Sequence, residues 1–332
     1  MSSPPPTTTV GDGPYFDDLT VGEDLAPAPA MTLTEAMAAQ YAAISGDPFA
    51  PALSHPLANS IGAGPGLLNP ALVLHASIGQ STVATRRVVA NLFYRGVALR
   101  KQLLVGSTIS TSVRIAGLRE TTRKPGRVPR GLALLSITTT DEVGDVVADY
   151  QRCALVPFRA DRADTGNHDE LGEATTTFDP DAFAHCLPVA WALAPLGAAD
   201  PWAVGERRVD AMADTVSSAL ELVRLTQNQA AVHRDVRLSP TGQRLVYGGH
   251  AIGLAQASLA RLCPTMAYVL GWIGCDHVGP VYEGDLLSFA ATLDGEHRVE
   301  GGRMLAITVD AWAHRDGDPA HVLQWRPVIY AP

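Results

Sequence analysis

Apolar residues along the chain follow two periods, one helical and one strand-like, and the alternation occurs twice. Over 34–44 and 70–84, apolar positions recur at helical spacing behind Thr34 and Asn69, whose side chains suit a helix N-cap, with Pro70 at the first helical position. Three β-rich runs follow at 108–118, 131–140 and 145–158. The same order returns later, with helices predicted over 216–225 and 250–262 and strands over 286–294, 304–313 and 322–330. The chain therefore reads as a duplicated unit.

A short helix, a long helix and then antiparallel strands suit a sheet wrapped around one central helix, and two copies place two such sheets side by side. The predicted class is α+β, a double hotdog; two unrelated α+β domains are the alternative. Short anchors recur in the same order, Val21-Gly22-Glu23 as Val204-Gly205-Glu206 and Leu104-Val105-Gly106-Ser107 as Tyr282-Glu283-Gly284-Asp285. The expected boundaries are a disordered Pro- and Thr-rich tail over 1–13, a first domain over 14–158, a polar linker over 159–182 and a second domain over 183–332.

With 332 residues and 46% apolar content, the chain is long enough for two cores of ordinary size. A net charge of −9 argues against nucleic acid or an anionic membrane as the main partner. The apolar run 245–262 is broken by His250, Gln256 and Arg261, which excludes it as a membrane span. Four scattered cysteines form no metal or disulfide framework and read as reduced thiols, and residues 1–13 lack the pattern of a secretory signal. The expected location is the cytoplasm.

Candidate chemistry concentrates in the second copy. Gln227-Asn228 precedes His233 and Asp235, and Tyr247-Gly248-Gly249-His250 opens the long Ala-rich helix. A carbonyl at that helix start would meet free N–H groups and the positive end of a helix dipole, with an imidazole on the neighbouring segment. Enolate chemistry on an activated acyl group fits this pairing. His233 is the expected proton carrier, Asn228 orients a water, and Gly249 offers its N–H to the carbonyl oxygen. Gln227, Asp235, Gly248 and His250 are expected in support, with Asp235 a candidate to hold the imidazole tautomer. For His277 a strand residue without a chemical role is the plainer reading.

These motifs resemble the MaoC-type (R)-specific enoyl-CoA hydratases, in which an Asp-x-Asn-Pro-x-His motif precedes a His-Gly at the start of the hotdog helix. A more specific resemblance, to the double-hotdog mesaconyl-CoA hydratases (β-methylmalyl-CoA dehydratases), is carried by Gln227-Asn228 with Val232-His233, Tyr247-Gly248-Gly249-His250, Pro280-Val281-Tyr282-Glu283-Gly284-Asp285 and Arg123-Lys124 with Gly126. The broader pattern has Asp where Asn228 stands, and the resemblance implies that the mesaconyl-CoA branch shares the Gln-Asn form. It also implies a hydro-lyase acting on an enoyl-CoA, with branched and dicarboxylic acyl groups among the candidates. Coenzyme A is then part of the substrate, and no cofactor or metal is expected.

In the first copy, Ser45-Gly46-Asp47-Pro48 has Ala52 where the histidine should stand, and Asn69-Pro70 aligns with Gly248-Gly249. Proline has no N–H to offer an enolate oxygen, so this half is expected to hold substrate. Phosphates of coenzyme A call for basic residues, and the candidates are Arg123, Lys124 and Arg127 on a predicted hairpin, with Arg95 and Lys101 second. A solvated hairpin tip is the competing reading of the first group. Two alternatives to the lyase stay open, a hotdog thioesterase and a non-catalytic acyl-CoA or acyl-carrier binding protein. Acyl-carrier-protein thioesters and a homodimer are open as partners.

Overall fold

A computed structural model describes residues 11–159, 164–172, 176–239 and 241–332. Its centre is a pair of long buried helices surrounded by one continuous antiparallel sheet. The first half contributes β1 (Met31–Thr32), α1 (Glu35–Ser45), the short α2 (Ala50–Leu53) and α3 (His55–Ser60), and the long α4 (Pro70–Ser81). Strands β2 (Ala90–Leu99), β3 (Thr108–Glu120), β4 (Arg130–Asp141) and β5 (Val146–Pro157) complete it. The second half contributes α5 (Asp181–Ala184), β6 (Arg207–Val209), β7 (Asp214–Thr215), α6 (Ala219–Leu225), α7 (Ala231–Arg234) and the long α8 (Gly248–Leu262). It ends with β8 (Tyr268–His277), β9 (Leu286–Val299), β10 (Gly302–His314) and β11 (Ala320–Ala331).

Strand order is β1-β3-β4-β5-β2-β8-β11-β10-β9-β6, with β7 also on β9. The halves therefore join at the antiparallel pair β2–β8, where Tyr94 lies opposite Cys275 and Phe93 opposite Asp276. Close pairing there needs a glycine, because a Cβ at Gly271 would sit 2.0 Å from the Val97 carbonyl oxygen.

The capping residues act as the sequence predicts. Thr34 accepts from the Met37 N–H and Asn69 from the Ala71 N–H, each supplying an acceptor to a helix-start donor. Every residue of α4 is buried, so its polar side chains must be satisfied internally. Ser77 bonds the hydroxyls of Thr139 (2.6 Å) and Tyr150 (2.9 Å), and Gln80 takes the Thr111 hydroxyl at 2.7 Å.

Four differences from the sequence reading have physical causes. Strands β2 and β8 were not predicted, since nearly all of β8 is buried on both faces and shows no alternation. The helix expected over 216–225 begins only at Ala219, after Ser218 in a left-handed conformation, because Asp214–Thr215 pairs with β9. Of the linker expected over 159–182, residues 160–163 and 173–175 lie outside the described residues. The segment between them is not a free spacer: Asp169 exchanges bonds with Leu118, and Leu171 is buried against Leu134 and Cys153. Of the tail expected over 1–13, residues 1–10 lie outside the described residues, and Asp12 bonds Arg87 and the Tyr15 hydroxyl. Among the described residues no helix is long and apolar enough to cross a membrane.

Candidate active site

The segment between α6 and α7 belongs to the second half but rests on the first. Gln227 adopts positive φ and turns the chain, and the Gln229 N–H then donates to the Thr82 hydroxyl at 2.8 Å. The Ala231 N–H donates to the Arg86 carbonyl, and Arg86 Nε reaches the Gln229 side chain at 2.7 Å. Gly79 makes this docking feasible, because its missing Cβ would lie 1.8 Å from the Thr226 carbonyl oxygen.

Asn228 is buried, and its Oδ1 accepts the Ala230 N–H at 2.9 Å. A backbone N–H requires an oxygen opposite it, which fixes the amide orientation and leaves Nδ2 as the group Asn228 can present to a ligand. His233, on α7, places Nδ1 3.1 Å from the Leu245 carbonyl. A carbonyl can only accept, so Nδ1 carries the proton and Nε2 keeps its lone pair. Leu245 is held in turn by its bridge to Tyr282 and by the Val246 N–H on the Val281 carbonyl. Burial pushes the His233 pKa down to about 4, against a smaller upward pull from the Leu245 bond. The ring is therefore neutral at pH 7.

His233 and Asn228 share a cavity of about 320 Å³ with Tyr247, Gly248 and Ala251 at the start of α8. The Gly248 and Gly249 N–H groups belong to the first turn and have no intrahelical acceptor. Successive residues of a helix point about a quarter-turn apart, so Gly248 and Ala251 share the cavity face while the two residues between them turn away. Gly249 faces the Tyr247 ring, where a Cβ would meet Cε1 at 2.5 Å. His250 is buried, with both ring nitrogens unpartnered. Neither Gly249 nor His250 lines the cavity, contrary to expectation, and the glycine at its wall is Gly248. A Cβ there would lie 2.6 Å from His277 Cε1, so glycine lets a second imidazole approach the helix start.

The remaining expected residues divide plainly. Asp235 does not hold the His233 ring: its carboxylate pairs with Arg237 at 2.7 Å and caps the following turn, while Leu245 orients the imidazole. Gln227 is exposed and its amide bonds the Arg224 carbonyl, a consequence of its turn conformation. Arg123, Lys124 and Arg127 line a separate cavity at the β3–β4 hairpin, with Arg123 over the Phe158 ring. Arg95 bonds Gln151 and the Leu171 carbonyl, and Lys101 holds Asp141 and Asp145 at the β4–β5 turn. None of these basic residues lines the cavity of His233.

What the sequence reading missed comes mostly from the first half and the seam. Thr82, Thr85, Asn91, Tyr94 and Arg152 line the cavity, as does His277 of β8. Tyr94 lies 6.0 Å from the His277 ring, centroid to centroid. His277 has its pKa lowered to about 4 by burial, and its Nε2 has no partner. A signal for Arg152 did exist: in β5 the even positions 148, 150, 152, 154 and 156 are the buried face, so an arginine there breaks the inward apolar pattern.

The first half lacks this arrangement. Asp47, aligned with Asn228, is buried and accepts from Asn69 Nδ2 and Gln256 Nε2, both at 2.7 Å, and from the Phe49 N–H. Gln256 of α8 thus takes up Asp47, and its Nε2 also donates to Asn69 Oδ1 at 2.9 Å. Among the described residues no three His, Cys, Asp or Glu side chains group as metal ligands.

Two long helices buried within one sheet, with an imidazole facing the start of the second, define the class: the chain belongs to the double-hotdog proteins. A conserved hypothetical double-hotdog protein of Mycobacterium tuberculosis is 39% identical over 97% of this chain and 99% of its own, with a TM-score of 0.86. The β-methylmalyl-CoA dehydratase of Chloroflexus aurantiacus is 28% identical over 83% of this chain and 80% of its own. The mesaconyl-CoA hydratase of Cereibacter sphaeroides is 26% identical over 87% and 86%. No protein-family model matches the chain.

Proposed function

We propose that this chain is a hydro-lyase that adds water reversibly across the 2,3 double bond of an enoyl-CoA thioester. The observation that carries the reading is the His233 tautomer: Nδ1–H is tied to the Leu245 carbonyl, and the basic Nε2 belongs to a ring that lines the cavity. The thioester carbonyl binds at the amides that open α8, where the helix dipole and unpaired N–H groups favour a developing enolate oxygen. Asn228 Nδ2 positions the water. His233 Nε2 takes one water proton as the oxygen bonds to C3, and the same proton returns to C2 to complete hydration.

The first half acts as the holding half, which is supported by its supply of Thr82, Thr85, Asn91, Tyr94 and Arg152 to the cavity wall. Relatives named as a hydratase and a dehydratase of CoA thioesters support the same reading. The thioesterase alternative needs a carboxylate at the reacting carbonyl, and among the described residues the cavity wall carries no Asp or Glu.

The test is loss of enoyl absorbance with crotonyl-, mesaconyl- and longer enoyl-CoAs. His233→Ala is expected to lower kcat by about 10²- to 10⁴-fold, the range for a positioned general base. Equal rates for wild type and variant, or release of free thiol without loss of the enoyl band, would overturn the proposal.

A further inference from the structure

His277 closes strand β8 and lines the cavity shared by His233 and Asn228. Among the described residues its ring makes no hydrogen bond, and Nε2 is buried without a partner. A histidine kept only for structure is ordinarily held by a hydrogen bond, as the Leu245 carbonyl holds His233. The neighbouring carboxylate does not serve, because Asp276 leaves the strand on the opposite face and pairs with Arg326 at 2.9 Å. Aromatic packing is what positions His277: the Tyr94 ring meets it edge to face at 73°, and Tyr94 is itself set against Trp272.

The imidazole lies over the first turn of α8. A Cβ on Gly248 would stand 2.6 Å from His277 Cε1 and 2.7 Å from Nε2, closer than atoms approach without a bond. Gly248 is helical and does not have positive φ, so its backbone has no need of glycine, and the missing side chain makes room for the ring. Free N–H groups of that turn and the Cε1–Nε2 edge therefore meet at one end of the cavity. Burial opposes a proton on this ring against a smaller upward pull from Asp276, and a proton on His233 would oppose it further. The positive end of the helix dipole acts in the same direction. A neutral imidazole still carries one N–H, which can donate to an oxygen without bringing a charge into the wall.

We infer that His277 is a further catalytic residue, whose ring N–H donates to the thioester carbonyl oxygen together with the amides that open α8. The bond strengthens as that oxygen gains charge, so it lowers the barrier more than it tightens binding. No proton is transferred, and His233 keeps both proton steps. The rate part of this inference rests on the hydratase reading, whereas the carbonyl-binding part stands without it.

The absorbance of 2,4-hexadienoyl-CoA moves to longer wavelength when its carbonyl is polarised, which separates a donor from a packing residue. On the His233→Ala protein, saturated with this probe, a red shift is expected, and adding His277→Leu should reduce it by about half or more. His277→Gln in the same background restores an N–H donor and should recover part of the shift. With His233 in place, His277→Leu is expected to lower kcat for crotonyl-CoA by about a hundredfold while KM changes by less than about threefold, the pattern for loss of one oxyanion donor. His277→Ala, which only enlarges the cavity, carries the same readouts if the leucine protein does not fold. No red shift on the His233→Ala protein, or one that survives the loss of His277, would reduce His277 to packing and leave the hydratase reading intact. A His277-dependent shift in a protein that hydrates no enoyl-CoA would overturn the hydratase reading and leave the donor.

Discussion

At the scale of single residues, burial decides which groups can do chemistry near neutrality. His233 is neutral well below its ordinary range, because taking up a proton would place a charge in a low-dielectric wall. A base works only unprotonated, so kcat/KM for hydration is expected to stay level from pH 8 down to about 5 and to fall through an apparent pKa near 4. A pH profile with its acid limb near 6.5 would show that the ring is solvated in the free enzyme. His233 and Asn228 were legible in the sequence because their spacing repeats a known motif. His277 and Tyr94 were not, because their roles come from cross-strand placement at β2–β8 and β2–β5, which no local pattern records; Arg152 left one local trace, an arginine on the inward face of β5. Gly249 and His250 stand off the cavity wall for a different reason: the motif named the right helix turn, but helical geometry gives the cavity face to Gly248 and Ala251.

At the scale of elements, the decisive contact is between the C-terminal part of α4 and the segment that carries Asn228. Gly79 has no room for a methyl group, with the Thr226 carbonyl oxygen 1.8 Å and its carbon 2.8 Å from a Cβ built there. Backbone on both sides cannot yield as a side-chain end can. Gly79→Ala is therefore expected to cost about 3 kcal/mol of stability or more, measured by urea unfolding. It should also lower turnover of the folded fraction, since the Gln229–Thr82 bond and the position of Asn228 depend on the same approach. Unchanged stability would mean that the two segments are looser than their contact implies. Helices with caps and strands with one solvated face were legible, as α1, α4, β3 and β5 show. Strand β8 was hidden because a run buried on both faces has no period of two, and β2 because it pairs with β8 at the seam.

At the scale of the whole molecule, the two halves are bound by more than their shared sheet. His75 of α4 and His250 of α8 lie in the joint core of the two long helices, 0% and 2% exposed, with His75 between Tyr41 and Tyr247. Burial lowers their pKa values to about 3 and about 4, and a proton on His250 would lower that of His75 further. Both are neutral when folded and titrate near 6.5 when unfolded, so below that pH the unfolded chain binds more protons. Their contribution is complete above pH 6.5 and is lost as pH falls toward 4, at about 1.4 kcal/mol per pH unit for each ring, or about 2.7 together. Asp47, whose carboxyl burial pushes up, works in the opposite sense only below its raised folded value, where it takes a proton before the unfolded chain does. Urea midpoints measured between pH 7 and 4.5 should fall steeply from about 6.5 downward. Burial also lowers the pKa values of His233 and His277 to about 4, and these rings add to the same slope, so His250→Gln, which cannot be protonated in this range, should flatten it by about a quarter, as expected if one of four such imidazoles is removed from the balance. A slope unchanged by that substitution would place the acid sensitivity elsewhere than between α4 and α8.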